Sequence, residues 1–475
     1  MVGTLGSPRI GGIDVSSRAP FGWAPLVVLF IVGFVDRIEH NLLSGVLPAV
    51  QQEWGFSDTA AGSIPTAAAL AAAVVALPAG YLADRLSRTR IITVVVFVWA
   101  IATLGSGLAT GFVMFYLMRV LLAAAENIDN PASGSLLADY YPPVSRAKAY
   151  GLTRVTTYLG GVGTLLGGVL AEAFSWRTAF LVMVVPGVLT ALLVWMLREP
   201  RRGELDRLVA TGDVTATATA TATATVTEPV TGPVTGPVTG PVTGPVTEPG
   251  AQPVIRPAGT PPFWRQVRQV AAIPTLVSVC VGLSLLTLGL AGIFYWLPTF
   301  MVRTLGLGTA AAGSLSGLIT VAGTLTGTLV GSWLGRKWHG TRKGGRLLAG
   351  GSGITAGSLV LAGALGMESI AAMTALVLLA CSLMSIAIPN MTACLADVVP
   401  AAARGLGFAV LQLLITVGGA FGSLVVGIAS DRLGSLSAGM YILVVPMVVG
   451  GLLTLGARAS FERDARKVME EAARG

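Results

Sequence analysis

Twelve stretches of mostly apolar residues, each near the ~20 needed to cross a bilayer, follow one another along this 475-residue chain. Their approximate bounds are 24–48, 59–83, 90–110, 112–138, 147–172, 177–197, 272–300, 309–335, 347–366, 370–395, 404–430 and 436–457. In hydrocarbon every backbone N–H and C=O must be satisfied within the protein, so only helices or a closed barrel can span. The apolar-polar alternation of a barrel strand is absent. The expected fold is an all-α polytopic membrane protein. Charge supports this: Asp, Glu, Lys and Arg make up 11% of the chain, against about 25% in soluble domains. A soluble enzyme, a coiled coil and a nucleic-acid binder are therefore disfavoured.

The few cations are sorted by loop. Arg85, Arg88 and Arg90 follow span 2, and Arg336, Lys337, Arg342, Lys343 and Arg346 follow span 8. The alternate loops hold Arg177, Arg303 and Arg432. By the positive-inside rule both termini are expected in the cytoplasm, with the protein multi-pass in the cell (inner or plasma) membrane. The first apolar run is long enough to span, so a cleavable signal is not expected. Cys280, Cys381 and Cys394 sit in apolar stretches without metal-ligand spacing, and His40 and His339 are the only histidines. No metal or other cofactor is expected.

Residues 198–262 break the pattern with a Thr-Ala run and repeated Val-Thr-Glu/Gly-Pro units. A Pro at every fourth position forbids helix, so a disordered, solvated cytoplasmic linker is expected. It separates an N-terminal bundle (24–197) from a C-terminal bundle (263–457), the latter led by a short amphipathic stretch at 263–271. Residues 1–23 and 458–475 read as cytoplasmic tails, the second as a solvated helix. The two bundles echo one another. Leu47-Pro48 recurs as Leu297-Pro298, and Gly80 with Arg85 recurs as Gly331 with Arg336. Ala138-Asp139-x-x-Pro142, Arg146 and Gly160-Gly161 recur 258 positions later as Ala396-Asp397-x-x-Pro400, Arg404 and Gly418-Gly419. Two parallel six-helix repeats with a midplane substrate site form an established transporter architecture.

The segment Gly80-Tyr-Leu-Ala-Asp84-Arg85-Leu-Ser-Arg88-Thr-Arg90 resembles the span 2–3 loop signature of the major facilitator superfamily. The resemblance implies twelve transmembrane helices in two pseudo-repeat six-helix bundles. It also implies a cytoplasmic gate at Gly80, Asp84, Arg85 and Arg88. The corresponding C-terminal loop has Gly335 where Asp84 stands, so the signature is intact in one half only.

An ionisable side chain inside a span costs about 2.5–3.5 kcal/mol on the lenient insertion scales, which makes each a functional candidate. Seven qualify, all in the N-terminal half: Asp36, Arg37, Glu39, Arg119, Glu126, Asp129 and Arg154. Arg119 and Glu126 are seven apart and share a helix face. Asp36-Arg37 followed by Ser44-Gly45-Val46-Leu47-Pro48, with Arg119-x6-Glu126, resembles the Spinster branch of proton-coupled lysophospholipid and sphingosine-phosphate carriers. Ala123, Ala125 and Asn127 depart from that branch's pattern. The resemblance implies Asp36 and Glu126 as protonation sites with Arg119 as their partner, drawn together across the cleft that spans 1 and 4 line in this superfamily. Burial opposes ionisation of a carboxyl group and a nearby guanidinium favours it, so small movements can load or release a proton. A static, neutralised packing network is the alternative.

Substrate-binding candidates are Arg37, Glu39, His40, Asp129, Asn130, Arg154, Tyr158, Tyr295, Asn390 and Gln412. The expected activity is proton-coupled transport of an amphiphilic, lysophospholipid-like substrate by rocking of the two halves. The charged half would bind the headgroup and the apolar half the acyl chain. Its partners would be that lipid, protons and the bilayer, with the protein a monomer. A drug:proton antiporter for lipophilic cations, an organic-anion:proton symporter and a non-transporting sensor or scaffold stay open. No nucleophile–base pairing stands out to suggest an enzyme.

Overall fold

The computed structural model describes residues 9–10, 13–14, 21–200, 265, 268, 270–400 and 403–474. The repeat linker and nearly all of the 263–271 stretch lie outside the described residues. So do most of the N-terminal tail and the side chains of Gly80, Asp84 and Asn130.

The N-terminal half comprises α1 (Ala24–Trp54), α2 (Asp58–Arg85), α3 (Arg88–Gly107), α4 (Phe112–Tyr140), α5 (Pro143–Tyr158), α6 (Gly161–Ala173) and α7 (Trp176–Trp195). The C-terminal half comprises α8 (Pro274–Leu305), α9 (Thr309–Trp338), α10 (Gly345–Leu365), α11 (Ile370–Ser385), α12 (Ala387–Val398), α13 (Arg404–Leu433) and α14 (Leu436–Gly456), followed by α15 (Arg458–Arg474). Each half packs its own apolar core. Nine spans among the described residues are long and apolar enough to cross a membrane, α11 and α12 counting as one. α1 and α4 fall outside that set because they carry the intramembrane charges. The fifth span is divided into α5 and α6 at Leu159-Gly160, and the tenth into α11 and α12 at Ile386.

The sequence echoes become matching structural devices. Pro48 lies inside α1 and Pro298 inside α8, and each helix ends on a left-handed glycine, Gly55 and Gly306. That conformation satisfies the last helical carbonyls at no steric cost to glycine. Ser175 and Ser435 cap the starts of α7 and α14. Arg88, at the start of α3, pairs with Asp139 at the end of α4. At the same offset of 258, Arg346 at the start of α10 pairs with Asp397 at the end of α12.

The halves meet along two seams, α2 with α13 and α6 with α9. Both require glycine. A Cβ on Gly62 would lie 2.3 Å from the Ser423 carbonyl oxygen, and one on Gly168 would lie 2.6 Å from that of Thr309. The stripe Gly323, Gly327 and Gly331 instead serves contact within the C-terminal half, against α11 and Ile386.

The C-terminal helix corrects one expectation. α15 is not solvated all round: Phe461 and Ala465 pack on the C-terminal core. Asp464 is buried and accepts hydrogen bonds from the Thr275 N–H at 3.2 Å and hydroxyl at 2.8 Å. It thereby supplies an acceptor and negative charge to the N-terminus of α8.

Candidate functional site

The charges of α1 sort into two groups by helical face. Glu39 points into the N-terminal bundle and is fully buried. Its Oε1 lies 2.5 Å from Arg119 Nη1, and its Oε2 accepts from the Trp99 indole at 3.3 Å. The Arg119 guanidinium also stands 5.5 Å from the centre of the Phe180 ring, in cation–π range. α1, α3, α4 and α7 are thus tied together by one neutralised pair. Arg119 was expected to serve Asp36 and Glu126, and its direct partner is Glu39. Glu39, expected among the substrate-binding residues, is instead buried against Arg119.

The second group is Asp36, Arg37, His40, Glu126 and Asp129. Asp36 takes a salt bridge from Arg37 at 2.8 Å and lines the same small cavity as Glu126. His40 Nδ1 lies 3.4 Å from Glu126 Oε2. Asp129 accepts from Ser133 at 2.7 Å. Asp36, Glu126 and Asp129 together line a small cavity with Val32, Val95, Val96 and Trp99. The acids therefore converge inside the N-terminal bundle, beside α3, rather than across the cleft between halves.

The other sequence candidates scatter. Arg154 is exposed on α5 and Tyr158 is half-buried at its end. Tyr295 donates to the Ala61 carbonyl of the opposite half at 2.8 Å. Asn390 is buried and donates to the carbonyls of Gly331 and Ile386, fastening the α11–α12 break to α9, so it serves packing. Gln412 is exposed and donates to Thr416 at 3.3 Å. Arg85 is exposed at the end of α2. Arg88, by contrast, is fully buried within its own half. It pairs with Asp139 and, at 2.9 Å, with Glu199. Burial works against the Glu199 charge, yet the Thr89 N–H and the Arg88 guanidinium outweigh it and hold its pKa below that of an ordinary glutamate.

One cluster escaped the sequence reading. At the α1–α2 end, Asp58 is buried and receives both nitrogens of the Arg303 fork at 2.8 and 2.9 Å. Gln51 at 2.9 Å and Ser430 at 2.6 Å complete its partners. Asp431 in turn accepts from the N–H groups of Asp58 and Thr59 at 3.1 and 2.8 Å, meeting the N-terminus of α2 from the other half. Arg303 also holds Gln51 at 3.0 Å. Asp58, Arg303 and Asp431 are charges at the ends of otherwise apolar helices, which was the available signal. The cluster clasps the halves together at the end remote from the chain termini.

This twofold arrangement of six-span halves is also what comparison with known proteins returns. The family model of the Major Facilitator Superfamily matches residues 29–423. The chain belongs to that superfamily. Its fold is that of a multi-pass membrane protein and is Spinster-like. A bacterial homologue of the human lysosomal transporter Spinster, inward-facing and unoccupied, superposes with a TM-score of 0.71 at 20% identity, covering 94% of this chain and 97% of that one. The hexuronate transporter of Bacillus subtilis is 27% identical over 169 residues, 35% of this chain and 40% of that protein. Protein spinster of Drosophila melanogaster is 27% identical over 191 residues, 40% of this chain and 32% of that protein. The chain thus spans less than half the length of the curated relatives it matches.

Proposed function

We propose that this superfamily member is a proton-coupled transporter of a lysophospholipid-like amphiphile, working by alternating access of its two halves. The observation that carries the reading is the convergence of Asp36 and Glu126 on one small cavity, beside Arg37 and His40. A shared proton between two carboxyl groups is sensitive to their separation, because like charges held close cannot both ionise. A shift of α1 against α4 during rocking would change that separation and release or capture the proton. His40, 53% exposed beyond Glu126, offers a path outward. The buried Glu39–Arg119 pair stays neutral and holds the helices on which the acids ride.

Arg37 and Arg154 supply cations for an anionic headgroup, while no C-terminal span carries an ionisable group at mid-depth. That division suits an acyl chain on one side and a headgroup on the other. The protein is read as lying in the cell membrane with both termini in the cytoplasm, from the loop distribution of Lys and Arg, and as acting as a monomer. A second reading, proton-coupled uptake of a small organic acid anchored on Arg37, is favoured by the hexuronate-transporting relative.

The test is flux in proteoliposomes with an imposed pH gradient, comparing labelled lysophospholipid with hexuronate. Lysophospholipid should move faster with the gradient. Asp36→Asn and Glu126→Gln should each lose the gradient-driven component and keep exchange. Lipid flux indifferent to the gradient, or unchanged in both variants, refutes the coupling. Movement of hexuronate without lipid replaces the first reading by the second.

A further inference from the structure

At the end of the molecule that carries α15, the α9–α10 loop and α15 enclose a cavity of about 330 Å³. Its wall includes His339, Arg342, Lys343, Arg346, Phe461 and a single carboxylate, Glu462. None of these side chains takes part in the transport reading above. Three permanent cations against one anion leave the cavity positive. Arg346 is already paired with Asp397, whereas Arg342 and Lys343 are exposed. The loop is held in place: Arg458 donates through Nε and Nη2 to the Lys343 carbonyl at 3.1 and 3.0 Å. The Arg342 guanidinium lies 4.7 Å from the centre of the Trp338 ring.

The other half of the protein indicates what such a site holds. Arg346–Asp397 repeats Arg88–Asp139, and beside Arg88 the corresponding place is taken by an anion of the chain itself. The Glu199 carboxylate accepts from the N–H groups of Arg88 and Thr89 at 3.2 and 2.8 Å. It also accepts from Arg88 Nε at 2.9 Å and the Ser87 hydroxyl at 3.2 Å. The residue 258 positions beyond Glu199 is Ala457, which has no carboxylate to offer. The start of α10 has no side-chain cap. The C-terminal half thus keeps the arginine and the helix start, adds Arg342 and Lys343, and lacks the built-in anion.

We propose that this cavity binds a phosphate group, either inorganic phosphate or the headgroup of an anionic membrane lipid. Arg342 and Lys343 neutralise it, and the start of α10 takes the place that α3 offers to Glu199. Guanidinium, ammonium and helix N-terminal N–H groups are the donors that phosphate recognition uses.

The experiment is thermal unfolding of the full-length protein in detergent and in nanodiscs. Inorganic phosphate should raise the melting temperature of the wild type, and chloride at equal ionic strength should not. Arg342→Gln with Lys343→Gln should weaken the apparent phosphate affinity at least tenfold. Glu462→Gln, which removes the opposing carboxylate, should strengthen it. These residues line a surface loop and an outer helix face, so the variants should fold. Nanodiscs separate the two sources. If the lipid is the occupant, phosphatidate abolishes the phosphate effect and phosphatidylcholine does not. If free phosphate is the occupant, its effect persists in both. The proposal is overturned if neither phosphate nor phosphatidate stabilises the wild type, or if the double variant responds as the wild type does.

Discussion

Replacing Arg303 by glutamine should loosen the clasp that joins the two halves at the α1–α2 end. The substitution deletes two hydrogen bonds to Asp58 and one to Gln51, and it leaves a buried carboxylate without its cation. Removing one partner of a fully buried ion pair costs about 3–5 kcal/mol. The Arg303 side chain is 41% exposed, however, so water screens part of the interaction. A discounted cost of about 1–3 kcal/mol follows, between the surface and buried limits. At about 1.4 kcal/mol per factor of ten, the balance between closed and open forms at this end shifts about 5- to 150-fold. Spin labels on Gln52→Cys and Leu433→Cys, both exposed and on opposite halves, would report it as a longer-distance population. Cys280, Cys381 and Cys394 are buried and should stay unlabelled. In an Asp58→Asn background the Arg303→Gln effect should shrink, because the charge it neutralises is gone. An unchanged distance distribution in Arg303→Gln, or an undiminished effect in that background, would refute the idea that this cluster holds the halves together.

Three further outcomes are expected. Glu39→Gln should destabilise the N-terminal half by about 3–5 kcal/mol, since it strands Arg119 in the bundle, and thermal unfolding measures this directly. Glu199 has a depressed pKa, so its stabilising effect is complete above the unfolded glutamate value of about 4.3 and fades as pH falls through the lower folded value. The melting-temperature gap between wild type and Glu199→Gln should accordingly be wide at neutral pH and close in acid. Asp464→Ala should cost about 1–2 kcal/mol by uncapping α8, and proteolysis near residue 458 should accelerate in that variant while Glu470→Ala leaves it unchanged.

Much of the architecture was legible because a bilayer leaves so few choices. Apolar runs of spanning length marked the helices, and the recurrence of Pro48 in Pro298 and Asp139 in Asp397 marked the duplication. The broken spans were harder to see. Gly160 gave a hint in one, while the break at Ile386 rests on tertiary contacts of Asn390 that no local pattern encodes. The candidate site was half legible. Asp36, Arg119 and Glu126 stand out as charges in apolar runs, but their pairing depends on the rotation of α1 and α4 about their axes. Four-residue spacing puts Asp36 and His40 on one face; His40 meets Glu126, and Asp36 lines the same small cavity as Glu126. Spacing gave no means of choosing between Glu39 and Asp36 as the partner of Arg119, because that choice is made by where α3 and α7 pack.

The sequence by itself therefore determined the number and type of spanning elements, their duplication and the half in which intramembrane charge resides. These follow from hydrophobic length, repeat offset and the cost of charge in lipid, all of which are properties of the chain alone. The tertiary structure decided which charges neutralise one another, that Arg88 is locked within its own half, and that Asp58 and Arg303 clasp the two halves. Those outcomes turn on ångström distances between residues far apart in the chain, and hydrogen bonds and ion pairs fall off too steeply for spacing in sequence to fix them.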